Sequence, residues 1–324
     1  MKTYLKVFIL AFVCFTLLIG SGIFAFVKYY PAKPTIEEIQ SQKTVVVNID
    51  DKDDGGIKVK EKTELEKLIE STNRINILCF GTDGARADTI MFVSYDPDNK
   101  LVDILSIPRD TYNSVKGHNL AGQHKINAVY GFGGADGGSK GLLKQVSLLL
   151  DLPIDYYVKV NYNGVRDIVD ILGGVEINVR QDMDYDDPYV NPPLHIHIKK
   201  GRQVLNGQKA MEYLRWRKNN GESGAGDLPR TKRQQEFVIE AAKKAMSLKL
   251  PKVAKTAFSY VTTDMSLDKV VYYATTAVDL DFSNIKTYRL PGDVKYEGTS
   301  YYIHDPEATE KMMIEILSRG TNTN

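Results

Sequence analysis

"RINILCFGTDGARADTIMFVSYDPDNKLVDILSIPRD", residues 74–110, holds three apolar runs, and the way they connect decides the fold. "RINILCFGTD" reads as a strand ending in a turn, "DTIMFVSYD" as a second strand and "KLVDILSIPRD" as a third. The segment "YDPDNK" carries the Pro and Asn of a hairpin turn. Run as a meander, the strands bring Asp83 to the end of the first, Asp88 to the start of the second and Arg109 just past the end of the third. All three then reach one edge of the sheet. Two carboxylates at one strand edge make a hard-oxygen site suited to Mg²⁺, which takes one or two carboxylates and fills its shell with water and phosphate oxygens. An arginine beside them would hold the same phosphate through its planar fork. The competing reading is that both aspartates cap turns, the commonest work of Asp in such places.

Beyond this unit the pattern alternates. "SKGLLKQVSLLLD" has helical spacing, "IDYYVKVN" strand spacing, "YNGVRDIVDILGG" reads as a helix closed by Gly173, "VEINV" is a strand, and "NGQKAMEYL" is a helix. Towards the C-terminus, "SLDKVVYYATTAVDL" predicts a helix, "IKTYRLPGD" and "SYYIHD" strands, and "PEATEKMMIEILSRG" a final helix. Such a mixture predicts an α/β domain with a central sheet covered by helices. Other motifs lead nowhere. "GFGGADGGSKG" lacks the Gly-Lys-Ser/Thr of a phosphate loop and reads as a mobile loop near the site. His195 and His197 in "HIHIK" share a strand face, but no third ligand stands close by in sequence, which argues against zinc. His118 and His124 fall in a polar loop and read as surface residues.

Six cations, Arg215, Arg217, Lys218, Arg230, Lys232 and Arg233, crowd "YLRWRKNNGESGAGDLPRTKRQQEF", residues 213–237, in a chain of formal net charge +1. With 42 Lys+Arg against 41 Asp+Glu there is no global basic field of the kind that draws proteins onto nucleic acid. The target is therefore local. The period-two alternation of Tyr213, Arg215 and Arg217 predicts one strand face. Asp227 stands at an N-cap position, Pro229 falls in the first turn, and Arg230, Arg233, Gln234 and Phe237 follow at helical spacing. Because a helix N-terminus favours anions, the combination predicts a phosphate pocket. A solvated basic face is the plainer alternative.

From Val7 to Val27 the chain carries no charge, and about 20 apolar residues suffice for a helix to cross a bilayer. Lys2 and Lys6 before it favour a cytoplasmic N-terminus. A cleaved signal peptide is the rival reading, but the run is longer than a typical h-region and lacks a clean cleavage site. The expected layout is residues 1–29 as cytoplasmic tip and single-pass anchor, 30–72 as an extracytoplasmic stalk or small accessory segment in which "TELEKLIEST" has the period of a short amphipathic helix, and 73–324 as the catalytic domain. "DDKDDGG" in the stalk fails the EF-hand spacing. Cys14 in the anchor and Cys79 in a strand do not suggest a disulfide.

In order along the chain, "GTDGARADTIMFVSYDPDNKLVDILSIPRDTY", "KINAVYGFGG", "ILGGVEINV", "IKKGRQVLNGQKAMEYLRWRK" and "GDLPRTKRQQEFV" resemble the LytR-CpsA-Psr family of membrane-anchored cell-wall enzymes. The resemblance implies an α/β/α sandwich around a central mixed, largely antiparallel sheet. It implies transfer of an anionic glycopolymer from a polyprenyl-pyrophosphate carrier to the N-acetylmuramic acid 6-hydroxyl of peptidoglycan, outside the membrane. Mg²⁺, with Mn²⁺ as the other ion, is implied on Asp83 and Asp88. Arg109, Arg217 and Asp227 would join these in catalysis, with Asp227 as candidate base or as helix cap. Pyrophosphate would meet Arg86, Arg109, Lys125, Arg215, Arg217, Arg230, Arg233 and Gln234. An apolar pocket between sheet and helices, drawn from runs such as "VSLLL" and "VRDIVDIL", would take the isoprenoid tail. Two departures from the family pattern stand out: Arg86 is the only arginine soon after the first Asp, and "KNNGESGAG" is long enough to read as a lid. Hydrolysis of lipid-linked pyrophosphates and non-catalytic polyanion binding are the alternative functions.

Overall fold

The structure, a computed structural model, describes residues 62–189, 193–221, 227–246, 260–277, 280–296 and 298–321. The expected anchor and most of the expected stalk lie outside them. Among the described residues no helix is long and apolar enough to cross a membrane.

Helix α1 (Glu64–Ser71) precedes β1 (Ile75–Asp83), β2 (Arg86–Asp96) and β3 (Leu101–Ile107), and after a long loop come α2 (Gly138–Leu150), β4 (Tyr156–Asn161) and α3 (Tyr162–Ile171). Four short strands follow, β5 (Val175–Val179), β6 (Met183–Asp187), β7 (Leu194–Ile198) and β8 (Gly201–Leu205), then helices α4 (Gly207–Arg215) and α5 (Asp227–Met246). The chain continues through β9 (Val261–Thr263), α6 (Leu267–Ala277), β10 (Ile285–Arg289), β11 (Gly292–Tyr296), β12 (Ser300–His304) and α7 (Pro306–Ser318).

The three strands expected as a meander are one: β1 pairs antiparallel with β2, and β2 with β3. They form the centre of a six-stranded sheet of order β10-β3-β2-β1-β4-β9. The flanking β4 and β10 are parallel to their neighbours β1 and β3, and β9 closes the edge antiparallel to β4. The sheet is therefore mixed, with antiparallel pairing in the majority. The "VEINV" strand does not join it but pairs with β8 in a separate ribbon; β6–β7 and β11–β12 are two more.

Both faces of the meander are buried, which is why its strands read as almost unbroken apolar runs. Leu78, Phe80, Ile90, Phe92, Leu105 and Ile107 pack against α1, α2 and α7 through Leu65, Leu142, Val146, Met313 and Ile316. Ile77, Cys79, Met91, Val93 and Ile104 face the other layer, made of α3 to α6 and two of the ribbons. Burial pushes the Cys79 thiol well above its ordinary range, so it stays protonated.

Helix α1 falls in the span expected to be stalk or small accessory segment, and its Leu65 is 1% exposed and sits in the core. Its start is held by a capping box: Glu66 N–H donates to Thr63 Oγ1 at 3.2 Å and Thr63 N–H to Glu66 Oε2 at 2.7 Å. The folded domain therefore begins before residue 73.

On the same face, fully buried Asp103 of β3 accepts from Arg74 Nη1 at 2.9 Å and pairs with Arg319 beyond α7. Arg74 also donates to Ser94 Oγ at 3.2 Å and to the Arg319 carbonyl at 3.3 Å. This network latches the end of α7 to the sheet. Removing one member of a buried ion network strands the others without counter-charge. Asp103→Asn should therefore cost about 3–5 kcal/mol, seen as a lower urea midpoint at unchanged slope; an unchanged midpoint would remove the latch.

Candidate active site

The site begins at a defect in the β1–β2 ladder. Gly81 opposes Thr89 while Thr82 opposes Ala87, so Asp88 is the extra residue of a β-bulge, and the hairpin turns through Gly84 at φ 55°. A bulge re-aims the side chain it carries. Asp88 accordingly turns toward the end of β3, where its Oδ1 accepts from Arg109 Nη1 at 2.7 Å, with both side chains about one-fifth exposed at 18% and 20%. Asp83, exposed at the end of β1, has no partner for its carboxylate among the described residues.

Across from this edge lies the end of α4. The Asn206 side chain caps the helix, accepting from Lys209 N–H at 2.9 Å. Gly207 lets it press against α3, since a Cβ there would lie 2.2 Å from the Arg166 carbonyl oxygen. The helix runs through Tyr213 to Arg215, so the expected strand alternation of Tyr213, Arg215 and Arg217 is wrong. Ala210 and Tyr213 are buried at helical spacing, and that face decides the conformation. Only after Trp216, in extended backbone, does the chain release Arg217 and Lys218.

Arg233 explains where the helix stops. Its Nε donates to the Tyr213 carbonyl at 3.0 Å and its Nη2 to the Trp216 carbonyl. Carbonyls at a helix end have no partner within the helix, and a basic side chain can supply one. The guanidinium lies 5.1 Å from the Trp216 ring centroid, and Arg233 is only 8% exposed. Burial pulls its pKa down to about 10, which leaves it charged at neutral pH. Arg233 is therefore a scaffold residue and does not line the pocket.

Between these elements opens a cavity of about 560 Å³. Its depth is apolar, walled by Met91, Val158, Val160, Val165, Leu214 and Phe237; at its mouth stand Asp83, Asp88, Tyr162, Arg215, Arg217, Lys218, Arg230 and Gln234. Arg109 shares an adjoining crevice with Asp88, Arg230 and Gln234. Most of the expected site residues thus converge. Two more do not reach the cavity. Arg86 donates to Asn127 Oδ1 at 3.3 Å, and Lys125 pairs with Asp110 at 3.0 Å over the Tyr301 ring. Asp227 opens α5, but its side chain, like residues 222–226 of the expected lid, lies outside the described residues. Three glycines of "GFGGADGGSKG", Gly131, Gly137 and Gly141, belong to tight packing: a Cβ on Gly137 would meet the Phe132 carbonyl oxygen at 1.8 Å.

Tyr162 was missed by the sequence reading. Its phenol is pushed up to about 12, first by burial and then by Asp88 and Asp83, while Arg215 and Arg217 pull the other way. It therefore stands within electrostatic reach of both carboxylates and both arginines and remains a neutral O–H at physiological pH. The Arg215 guanidinium lies 5.2 Å from its ring centroid. Its place follows from β4, whose Asn161 pairs with Thr82 beside Asp83.

The pattern of the LytR_cpsA_psr family matches residues 37–317. The chain belongs to this family. Among curated LytR_cpsA_psr relatives, the Bacillus subtilis polyisoprenyl-teichoic acid–peptidoglycan teichoic acid transferase TagV is 30% identical over 253 residues. That alignment covers 77% of this chain and 63% of TagV. The B. subtilis transferase TagU is 28% identical over 314 residues, covering 93% of this chain and 91% of TagU. The crystal structure of TagV aligns with a TM-score of 0.63 at 28% identity, over 77% of this chain and 97% of the crystallised TagV chain. That of TagU gives 0.55 at 29%, over 76% and 96%.

The two kinds of arginine in this LytR_cpsA_psr site separate by experiment. Arg233→Ala should lower stability by roughly 1–3 kcal/mol for each carbonyl left buried and unpaired. Exposed Arg217→Ala should stay within about 0.5 kcal/mol of the parent. Thermal unfolding of both variants checks this, and equal melting points would contradict the assignment.

Proposed function

We propose that this chain transfers an anionic glycopolymer from a polyprenyl-pyrophosphate carrier to peptidoglycan, at the 6-hydroxyl of N-acetylmuramic acid. The observation that carries the proposal is the polarity gradient of one cavity, apolar in its depth and cationic at its mouth. A prenyl pyrophosphate has the same gradient. Its tail gains about 25 cal/mol for each Å² of apolar surface removed from water, and its phosphates meet arginines able to bind them bidentately. The teichoic acid transferases TagV and TagU are relatives whose names fit such a carrier and acceptor.

In this reading the acceptor hydroxyl oxygen forms a bond to the sugar-linked phosphorus. The bond from that phosphorus to the bridging oxygen breaks, and prenyl monophosphate departs with the bridging oxygen. The hydroxyl proton passes to a base, for which Asp227 is the candidate. Little covalent work falls to the protein in such a reaction, so positioning and charge stabilisation dominate. Arg109, Arg217 and Arg230 would hold the departing phosphate, and Arg215, Gln234 and the neutral Tyr162 hydroxyl would orient the rest.

Asp83 and Asp88 suit a hard divalent cation. The Asp83 carboxylate has no partner among the described residues, and the bond to Arg109 uses only part of the acceptor capacity of Asp88. Mg²⁺ held there, or Mn²⁺, would neutralise phosphate charge. The apolar run at residues 7–27 would anchor the chain in the bilayer that holds the carrier, with the domain on the outer side.

The test incubates the full-length chain in detergent with a lipid-pyrophosphate oligosaccharide and a peptidoglycan oligomer, with Mg²⁺ or EDTA, and follows products by mass spectrometry. Mg²⁺-dependent coupled sugar, reduced about 100-fold or more in Asp83→Ala, is the expected result. Free sugar phosphate alone would establish a hydrolase, and carrier binding without turnover a polyanion-binding role. The cavity makes a second prediction. Val165→Phe, which fills it from α3, should raise KM for long-chain carriers about tenfold, equivalent to ~1.4 kcal/mol, while short-chain carriers and the melting temperature change little. Equal effects on both carriers would place the tail elsewhere.

A further inference from the structure

The β6–β7 ribbon carries a second concentration of donors that the transfer site does not use. Asp184 and Asp186 on β6 stand directly opposite His197 and His195 on β7. Strand periodicity puts all four side chains on the exposed face, while Tyr185 and Leu194 point the other way and wall the cavity. Asp186 Oδ1 lies 2.5 Å from His195 Nδ1 and 3.5 Å from His197 Nε2. One carboxylate is thus shared by two imidazoles.

Asp184 supplies the independent sign. Its Oδ1 lies 2.6 Å from His197 Nδ1. With the proton on Nδ1, donated to Asp184, the lone pair of His197 is on Nε2, the nitrogen that faces Asp186. A carboxylate that fixes the tautomer and orientation of an imidazole is the usual outer partner of a metal-bound histidine. Ligand atoms from Asp186, His195 and His197 all lie within 4.8 Å of one another. Two ligands about 2.0–2.1 Å from a tetrahedral zinc ion are about 3.3 Å apart. The His197–Asp186 separation is already close to that, and the His195–Asp186 contact reaches it by a small rotation of exposed side chains.

We infer that Asp186, His195 and His197 form a binding site for a zinc-class transition-metal ion, with Asp184 orienting His197 and water in the fourth position. Two imidazoles and one carboxylate select Zn²⁺, Cu²⁺ or Ni²⁺ over Mg²⁺ and Ca²⁺, which prefer all-oxygen shells. No third ligand stands close to the histidines in sequence, but the pairing of β6 with β7 brings Asp186 beside them in space. Sequence alone holds the clue, D-x-D followed by H-x-H at matching period two, but only the register makes it a cluster. The bound ion would staple β6 to β7. The ribbon is tied in turn to the arginine segment: Asp184 N–H donates to Asn219 Oδ1 at 2.9 Å, Asn220 N–H to the Asp184 carbonyl at 3.1 Å, and Lys209 Nζ to the His197 carbonyl at 3.1 Å. This site is independent of the proposed transfer reaction.

The experiment uses the full-length chain without a histidine tag, stripped of metal by chelator, in detergent. Zn²⁺ is titrated in competition with a chromogenic chelator, and Co²⁺ is added in parallel to read its visible absorption bands. The expected result is one tight equivalent of Zn²⁺ and a tetrahedral Co²⁺ spectrum, both lost in His195→Gln/His197→Gln. Asp184→Asn should weaken the site roughly 10–100-fold. Asp83→Asn must retain the equivalent. If the parent binds no more Zn²⁺ than the double histidine variant, the four residues are surface hydrogen-bonded pairs only. Loss of the equivalent in Asp83→Asn would assign the metal to the cavity mouth and likewise overturn the site.

Discussion

The rest of the structure depends on a sheet that must be buried on both faces. Strands β1 to β3 carry apolar residues in both directions, so each face needs a full covering layer. Helices α1, α2 and α7 fill one side closely. On the other side small floor residues, Cys79 and Gly81 on β1 and Val158 and Val160 on β4, stop short of the opposing helices. At Gly81 the shortfall is not forced by crowding, since an added Cβ would come no closer than 3.6 Å to Thr89. The space is maintained by choice of side chain, and apolar space left empty forgoes dispersion contacts that an apolar guest can restore.

The polar end of that space is built by local irregularities in otherwise regular elements. A bulge turns Asp88 toward Arg109, a strand ends at Asp83, and a helix stops so that Arg217 and Lys218 lie outside it. Carboxylates and guanidinium groups at the mouth partly offset one another, as the opposing influences on Tyr162 record. Without such an offset, four cations facing one cavity would repel each other in the empty protein.

Interactions close in sequence were legible before the structure. The meander followed from three apolar runs and a turn, and the convergence of Asp83, Asp88 and Arg109 followed from the meander. Long-range pairing was not legible. Nothing in "IDYYVKVN" says that β4 lies parallel to β1, so Tyr162 could not be placed beside Asp83. The sheet edge formed by β10 comes from nearly the other end of the domain. Alternation at Tyr213, Arg215 and Arg217 fits a strand over five residues, and only the buried helical face of the preceding turn overrules it. Family resemblance named most residues of the cavity mouth, but it grouped Arg233 with them because a motif records which residues recur and not which way they point.

That last distinction divides the motif "LNGQKAMEYLRWR" into two kinds of residue. Asn206 caps the helix, Gly207 allows its close approach to α3, and Ala210 and Tyr213 bury its inner face. With Arg233 gripping the far end, these residues fix where α4 begins, how near it lies and where it stops. Arg215 and Arg217 inherit their positions from those constraints. A helix one residue longer would rotate Arg217 by about 100° about the helix axis, although every ligand-facing residue would be unchanged. The charge at the mouth is therefore as much a product of the carbonyl-binding Arg233 as of the arginines that face the cavity.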